Sequence, residues 1–89
     1  MLLSNHKGTA FHPFPCPICI TKRSRLDKDG QTAIPYNAIM CGEEANFLIA
    51  AYHDLVPAKM ELGRLKAAFE GGEVKVFTFM RDPYEEDKE

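Results

Sequence analysis

The sequence predicts an α+β domain, and three observations carry the prediction. A turn signal, Asp27-Lys28-Asp29-Gly30, separates a segment with adjacent β-branched Ile20 and Thr21 from a return segment, Gln31 to Ile34. Apolar residues recur at helical spacing from Ala45 to Phe69, and Val74 to Met80 alternates as a strand does. The expected order is a cysteine-bearing turn and β-hairpin, then one bent helix or a helical pair, then a C-terminal strand completing a small antiparallel sheet.

Residues 1 to 15 hold two prolines, two histidines and a glycine without sustained periodicity, so they read as an irregular arm, pinned by Phe11 and Phe14. Ile18 to Arg25 and Gln31 to Ile34 form the hairpin, with Gly30 supplying the positive φ that closes its turn. A helix is expected next, capped by Asn37 or beginning near Gly42, where Glu43 and Glu44 suit a helix N-terminus. Its buried face would be Ala45, Leu48, Ile49, Tyr52, Leu55 and Val56, with Cys41 at its entrance and Pro57 ending or kinking it.

A second helical pattern follows in Ala58, Leu62, Leu65 and Phe69. Lys59, Glu61, Arg64 and Lys66 lie around its other side, and Gly71-Gly72 stop it. In the C-terminal strand, Lys75, Phe77 and Phe79 alternate with Val74, Val76, Thr78 and Met80, so both faces are too apolar for a free edge. One face is expected on the helices, and the aromatic pair continues the core or meets a partner, a second copy included. Residues 82 to 89 are acidic and lack an apolar pattern, and are expected to fray.

Composition narrows the function classes. At 89 residues the chain is one small domain, a size at which a core alone gives marginal stability and a metal or an oligomer interface often contributes. A net charge of -2 provides no global basic field for nucleic-acid binding. The longest near-apolar stretch, Ala45 to Tyr52, is broken by Asn46 and is too short to span a bilayer, and the apolar run after Met1 is too short for a signal-peptide core. The expectation is a soluble cytoplasmic protein with no membrane partner. Its three cysteines, an odd number, are then reduced thiols rather than a disulfide framework.

The most specific motif is Cys16-Pro17-Ile18-Cys19, approached through Phe11-His12-Pro13-Phe14-Pro15 and followed later by Cys41. Cys-x-x-Cys lets two sulfurs grip one ion from a tight turn. Over Phe14 to Glu44 the order of knuckle, hairpin and Cys41 resembles a zinc ribbon or treble clef. That resemblance implies a zinc-knuckle-like turn and a second ligand pair. A second Cys-x-x-Cys would require cysteine at position 44, where the chain has Glu44.

The expected zinc ligands are Cys16, Cys19, Cys41 and His12. His6 and Glu44 are the alternatives for the fourth position, although structural sites seldom use carboxylates. His53 is excluded because twelve residues of helix at ~1.5 Å each would put it about 18 Å from Cys41. The bland alternative treats Cys16 and Cys19 as turn residues, Cys41 as core filler and His12 as a surface histidine.

Cys-Pro-x-Cys also resembles glutaredoxins, with Ala33-Ile34-Pro35 similar to their Val-Pro strand start. The stretch between Cys19 and Pro35 is too short for the intervening elements of that family. A thiol redox protein using Cys16 and Cys19, their pKa lowered by nearby Lys22, Arg23 and Arg25, stands as a separate reading. Lys22, Arg23, Arg25 and Lys28 form a candidate phosphate or nucleic-acid contact, set against the more ordinary role of charge on an exposed hairpin.

The acidic residues Asp82, Glu85, Glu86, Asp87 and Glu89 suggest charge mimicry by an inhibitor encoded by a phage or mobile element, or merely a solubilising tail. No Ser-His-Asp arrangement with an elbow, phosphate loop or His-Glu-x-x-His helix is present. The favoured expectation is a zinc-stabilised, non-catalytic binding module with a protein partner.

Overall fold

The computed structural model describes residues 1–83. It is α+β, with one helix and two three-stranded sheets. The strands are β1 (Leu2–Ser4), β2 (Phe11–Pro13), β3 (Ile18–Leu26), β4 (Ala33–Cys41), β5 (Phe47–Tyr52) and β6 (Val76–Thr78), with α1 (Leu55–Gly71) between β5 and β6. The first sheet has the order β2-β1-β6 and the second β3-β4-β5. Among the described residues no helix is long and apolar enough to cross a membrane. The acidic run from Glu85 onward lies outside the described residues.

The hairpin forms where the turn chemistry placed it. Gly30 takes φ 72, and the Asp29 carboxylate accepts from the backbone N–H groups of Gln31 and Thr32 at 2.8 and 2.9 Å. The Thr32 hydroxyl donates to the same carboxylate at 2.6 Å. That hydroxyl, with the two N–H groups, holds the Asp29 carboxyl down at about 2.

The N-terminal arm departs from expectation, because it folds back as a second hairpin. Asn5 Oδ1 accepts from Thr9 and Ala10 N–H at 2.9 and 3.2 Å, and Gly8 takes φ 71, so a side chain organises a turn that lacks a sequence period. β1 pairs antiparallel with β2 and parallel with β6, from Leu2 opposite Val76 to Ser4 opposite Thr78. The C-terminal strand therefore completes a mixed sheet rather than the antiparallel one expected. Its two faces divide cleanly: Phe77 and Phe79 are 2 % and 0 % exposed and pack edge-to-face, while Val76 and Met80 are exposed.

The segment expected as the first helix is strand β5. β4 is buried along Ala38–Cys41, so it needs strands on both edges, and β5 takes the edge opposite β3. The register with β4 runs Ile39 opposite Ala50 and then Met40 opposite Leu48, skipping Ile49 as a β-bulge. The bulge lets Ile49 and Tyr52, three residues apart, both enter the core, so a strand reproduces helical spacing. Leu48, Leu55 and Val56, assigned to the same helical face, are exposed. Cys41 accordingly ends a strand and opens no helix. Gly42 at φ 97 and Ala45 at φ 51 reverse the chain into β5.

α1 is a single helix. Asp54 precedes it in an extended conformation, and Pro57 falls in its first turn, where the missing N–H would have no helical partner, so the proline neither ends nor kinks it. Gly72, in the left-handed conformation at φ 73, stops it by donating its N–H to the carbonyls of Ala68 and Phe69. Ala58, Glu61 and Leu65 face inward. Glu61, expected among the solvent-facing polar residues, is in phase with Ala58 and Leu65 and only 7 % exposed.

The Glu61 carboxylate accepts the Met80 N–H at 2.7 Å and two Arg64 N–H groups at 3.0 and 2.8 Å. Arg64 also donates to the Thr78 carbonyl at 2.7 Å and lies 4.3 Å over the Phe77 ring. Tyr52 donates its hydroxyl to the Met80 carbonyl at 2.5 Å. These bonds clamp the helix, β5 and the chain after β6 around a core of Leu3, Ile39, Cys41, Ile49, Tyr52, Ala58, Leu65, Phe77 and Phe79.

Burial pushes the Glu61 carboxyl up, but the Arg64 and Met80 hydrogen bonds outweigh it and hold it below its ordinary value. A carboxyl lowered in the folded state contributes fully above its unfolded value of ~4.3 and loses that contribution as pH falls through the folded value. Unfolding free energy measured by denaturant titration should therefore fall as pH drops below about 5. Glu61→Gln should cost about 1–3 kcal/mol at neutral pH and flatten part of the acid slope; the lowered Asp29 sustains the remainder. An unchanged slope would remove Glu61 from this role.

Candidate metal centre

His12, Cys16 and Cys41 come together from three parts of the fold. His12 lies in β2 of the first sheet, Cys41 ends β4 of the second, and Cys16 lies on the connection between β2 and β3. The Phe14-Pro15 peptide on this connection is cis. Their ligand atoms all lie within 4.8 Å of one another. Tetrahedral zinc with Zn–S of ~2.3 Å sets its sulfurs ~3.8 Å apart, inside the 4.8 Å that bounds the three ligand atoms here.

The donor set fits zinc: two sulfurs and one imidazole. His12 Nδ1 lies 2.8 Å from the Pro13 carbonyl oxygen, which can only accept. In the neutral ring the proton is therefore on Nδ1, and Nε2 keeps the lone pair. Metal-bound histidines generally anchor their second nitrogen in this way. The ring is also held against Phe47, with centroids 5.2 Å apart. Gly42 N–H donates to the Pro17 carbonyl at 3.0 Å, tying the cysteine turn to the end of β4. A Cβ added at Gly42 would sit 3.5 Å from His12 Nε2, an ordinary contact, so it is the φ of 97 that calls for glycine there.

The three thiols occupy different environments. Cys41 is fully buried, Cys16 half-buried and Cys19 exposed, and all are free. Burial, followed by the neighbouring Cys16 thiol, pushes the Cys41 thiol up to about 11, and Cys41 donates to the Phe47 carbonyl at 3.6 Å. Cys19 belongs to the outward-facing set of β3, with its Sγ 3.5 Å from Thr21 Oγ1. Cys16 thus neighbours Cys41, and its Cys-x-x-Cys partner is outside the cluster, because strand alternation turns residue 19 away from the face that carries Ile18 and Ile20.

The other candidate ligands also lie outside the group. His6 lies in the β1–β2 turn, and exposed Glu44 lies in the β4–β5 turn. His53 is excluded for a different reason than helix length. Cys41 pairs with Phe47 at one end of β5, and His53 follows the other end, about 20 Å away at ~3.3 Å per residue.

The basic residues do not make one patch. Along β3, Lys22 faces opposite to Arg23 and Arg25, while Lys28 is in the turn beyond. Arg23 donates to the Met40 sulfur at 3.9 Å. No family model matches the chain, and neither a curated protein nor a solved structure matches it.

Thiol reactivity follows thiolate fraction and access. In metal-free native protein at pH 7.5, iodoacetamide should modify Cys19 first and Cys41 last, with Cys41 at least about tenfold slower. Site-resolved mass spectrometry over time would measure this, and equal rates for the two would contradict the burial described here.

Proposed function

We propose that this chain is a small, zinc-stabilised, non-catalytic binding module, with His12, Cys16 and Cys41 as its protein ligands, that acts by contact with a protein partner. The observation that carries the reading is the gathering of one imidazole and two thiols, distant in sequence, within 4.8 Å. An ion there would cross-link β2 of one sheet to β4 of the other, at a junction where the connection from β2 to β3 is irregular. In a chain of 89 residues such a cross-link replaces core that the size does not supply.

Zinc would supply a fixed point holding two thiolates and one imidazole. The chain's part is to orient His12 through its Nδ1–H bond to Pro13, to keep Cys41 from water, and to release the thiol protons on binding. The proximity of Cys16 and Cys41 also favours a second reading, a redox protein whose thiol pair is Cys16 with Cys41 in place of Cys16 with Cys19.

Protein purified without added metal should carry one zinc per chain by elemental analysis. Cobalt substitution should give a charge-transfer absorbance sized for two thiolates. Cys16→Ala and Cys41→Ala should weaken binding by on the order of a hundredfold, His12→Ala by at least about tenfold, and Cys19→Ala should leave it unchanged. Absence of metal together with a Cys16–Cys41 disulfide in a glutathione buffer would replace the zinc module with the redox reading.

A further inference from the structure

β5 is an edge strand. The second sheet runs β3-β4-β5, and among the described residues no strand pairs with the side of β5 away from β4. Its sequence, Phe47-Leu48-Ile49-Ala50-Ala51-Tyr52, contains no charge and no proline, which are the usual protections of an exposed edge. The bulge at Ile49 is its only irregularity. An edge of this kind presents unpaired N–H and C=O groups to any extended chain that reaches it.

A cleft of about 490 Å³ follows this edge, lined by every residue from Leu48 to His53. Its other walls bring in the β1–β2 turn with His6 and Lys7, the chain at Met80 and Asp82, and Arg25 and Tyr36 from the hairpin. Lys7 and Arg25 are exposed, so their charges remain available at the rim. Among the described residues Asp82 is the one carboxylate in the lining, and its Oδ2 accepts the His53 N–H at 2.8 Å. The lining therefore sets two cations against one carboxylate among the described residues, in a chain whose net charge is -2.

We propose that the cleft beside β5 docks an extended, acidic segment of a protein partner, which adds to the β3-β4-β5 sheet as a fourth strand. The inference rests on the protein-partner element of the proposed function and is independent of the metal. Main-chain bonds to β5 supply affinity, and alternate side chains supply specificity. Six residues at ~3.3 Å each match the strand length; by register Arg25 shares the face of Leu48 and Ala51, so the carboxylates lie on that face and the apolar residues on the opposite one.

The test uses the full chain with its metal content measured in the same sample, and a fluorescent hexapeptide of alternating valine and glutamate. That peptide should bind on the order of tenfold more tightly than its valine–lysine counterpart, and less tightly as salt rises. N-methylation of alternate peptide amides on the pairing edge should abolish binding. Hydrogen exchange should slow at Leu48–Tyr52, and Lys7→Glu with Arg25→Glu, both exposed positions, should reverse the charge preference.

Three outcomes would overturn the proposal: equal binding of the two peptides, tighter binding of a single-stranded oligonucleotide at the same cleft, or a concentration-dependent dimer protecting the same amides in place of peptide. If zinc is bound and the peptide is not, the docking inference alone fails. If the peptide binds without metal, only the zinc reading fails.

Discussion

Ala38, Ile39, Met40 and Cys41 are each no more than 2 % exposed, so β4 is covered on both faces along that length. Its backbone groups cannot turn to water, and each one left unpaired would cost about 1–3 kcal/mol. β3 and β5 satisfy them from either edge. This requirement makes Phe47–Tyr52 a strand despite its helical spacing. It also forces the chain to reverse within residues 42–46 and brings Cys41 to the end of the sheet beside His12 and Cys16.

The two sheets and the helix are joined by two polar junctions of different kinds. At one, Glu61, Arg64 and Tyr52 hold the carbonyl and amide groups around Thr78 and Met80, and the low pKa of Glu61 reflects how completely its carboxylate is satisfied. At the other, His12, Cys16 and Cys41 meet with weak sulfur contacts, the His12 bond to Pro13 and the packing of its ring on Phe47. Among the described residues no buried side-chain nitrogen or oxygen lacks a partner, so it is donors with spare coordinating capacity that distinguish the second junction. A metal would give it the rigidity that hydrogen bonds give the first.

Local chemistry made part of the fold legible. Asp27 to Gly30 marked the hairpin, Gly71-Gly72 marked the helix end, and the alternation through Phe77 and Phe79 marked the last strand. The N-terminal hairpin was hidden because Asn5 makes its turn through a side chain, and because β1 owes its place to β6, more than seventy residues away. The charge of Glu61 points to solvent, whereas its phase on the helix points to the core. Its i, i+3 relation to Ala58 and i+4 relation to Leu65 were visible along the chain.

The sequence by itself determined the chemical inventory of the site: three cysteines, two of them in a Cys-x-x-Cys pair, and a histidine followed by proline. Three of the four expected ligands, His12, Cys16 and Cys41, meet in the structure. Which ones meet was decided only by tertiary structure, because the two-residue period of β3 turns Cys19 outward and the register of β4 carries Cys41 in to replace it. Spacing along a chain states which donors can be neighbours. The face each donor occupies depends on where a strand begins, and the pairing demands of its neighbours set that.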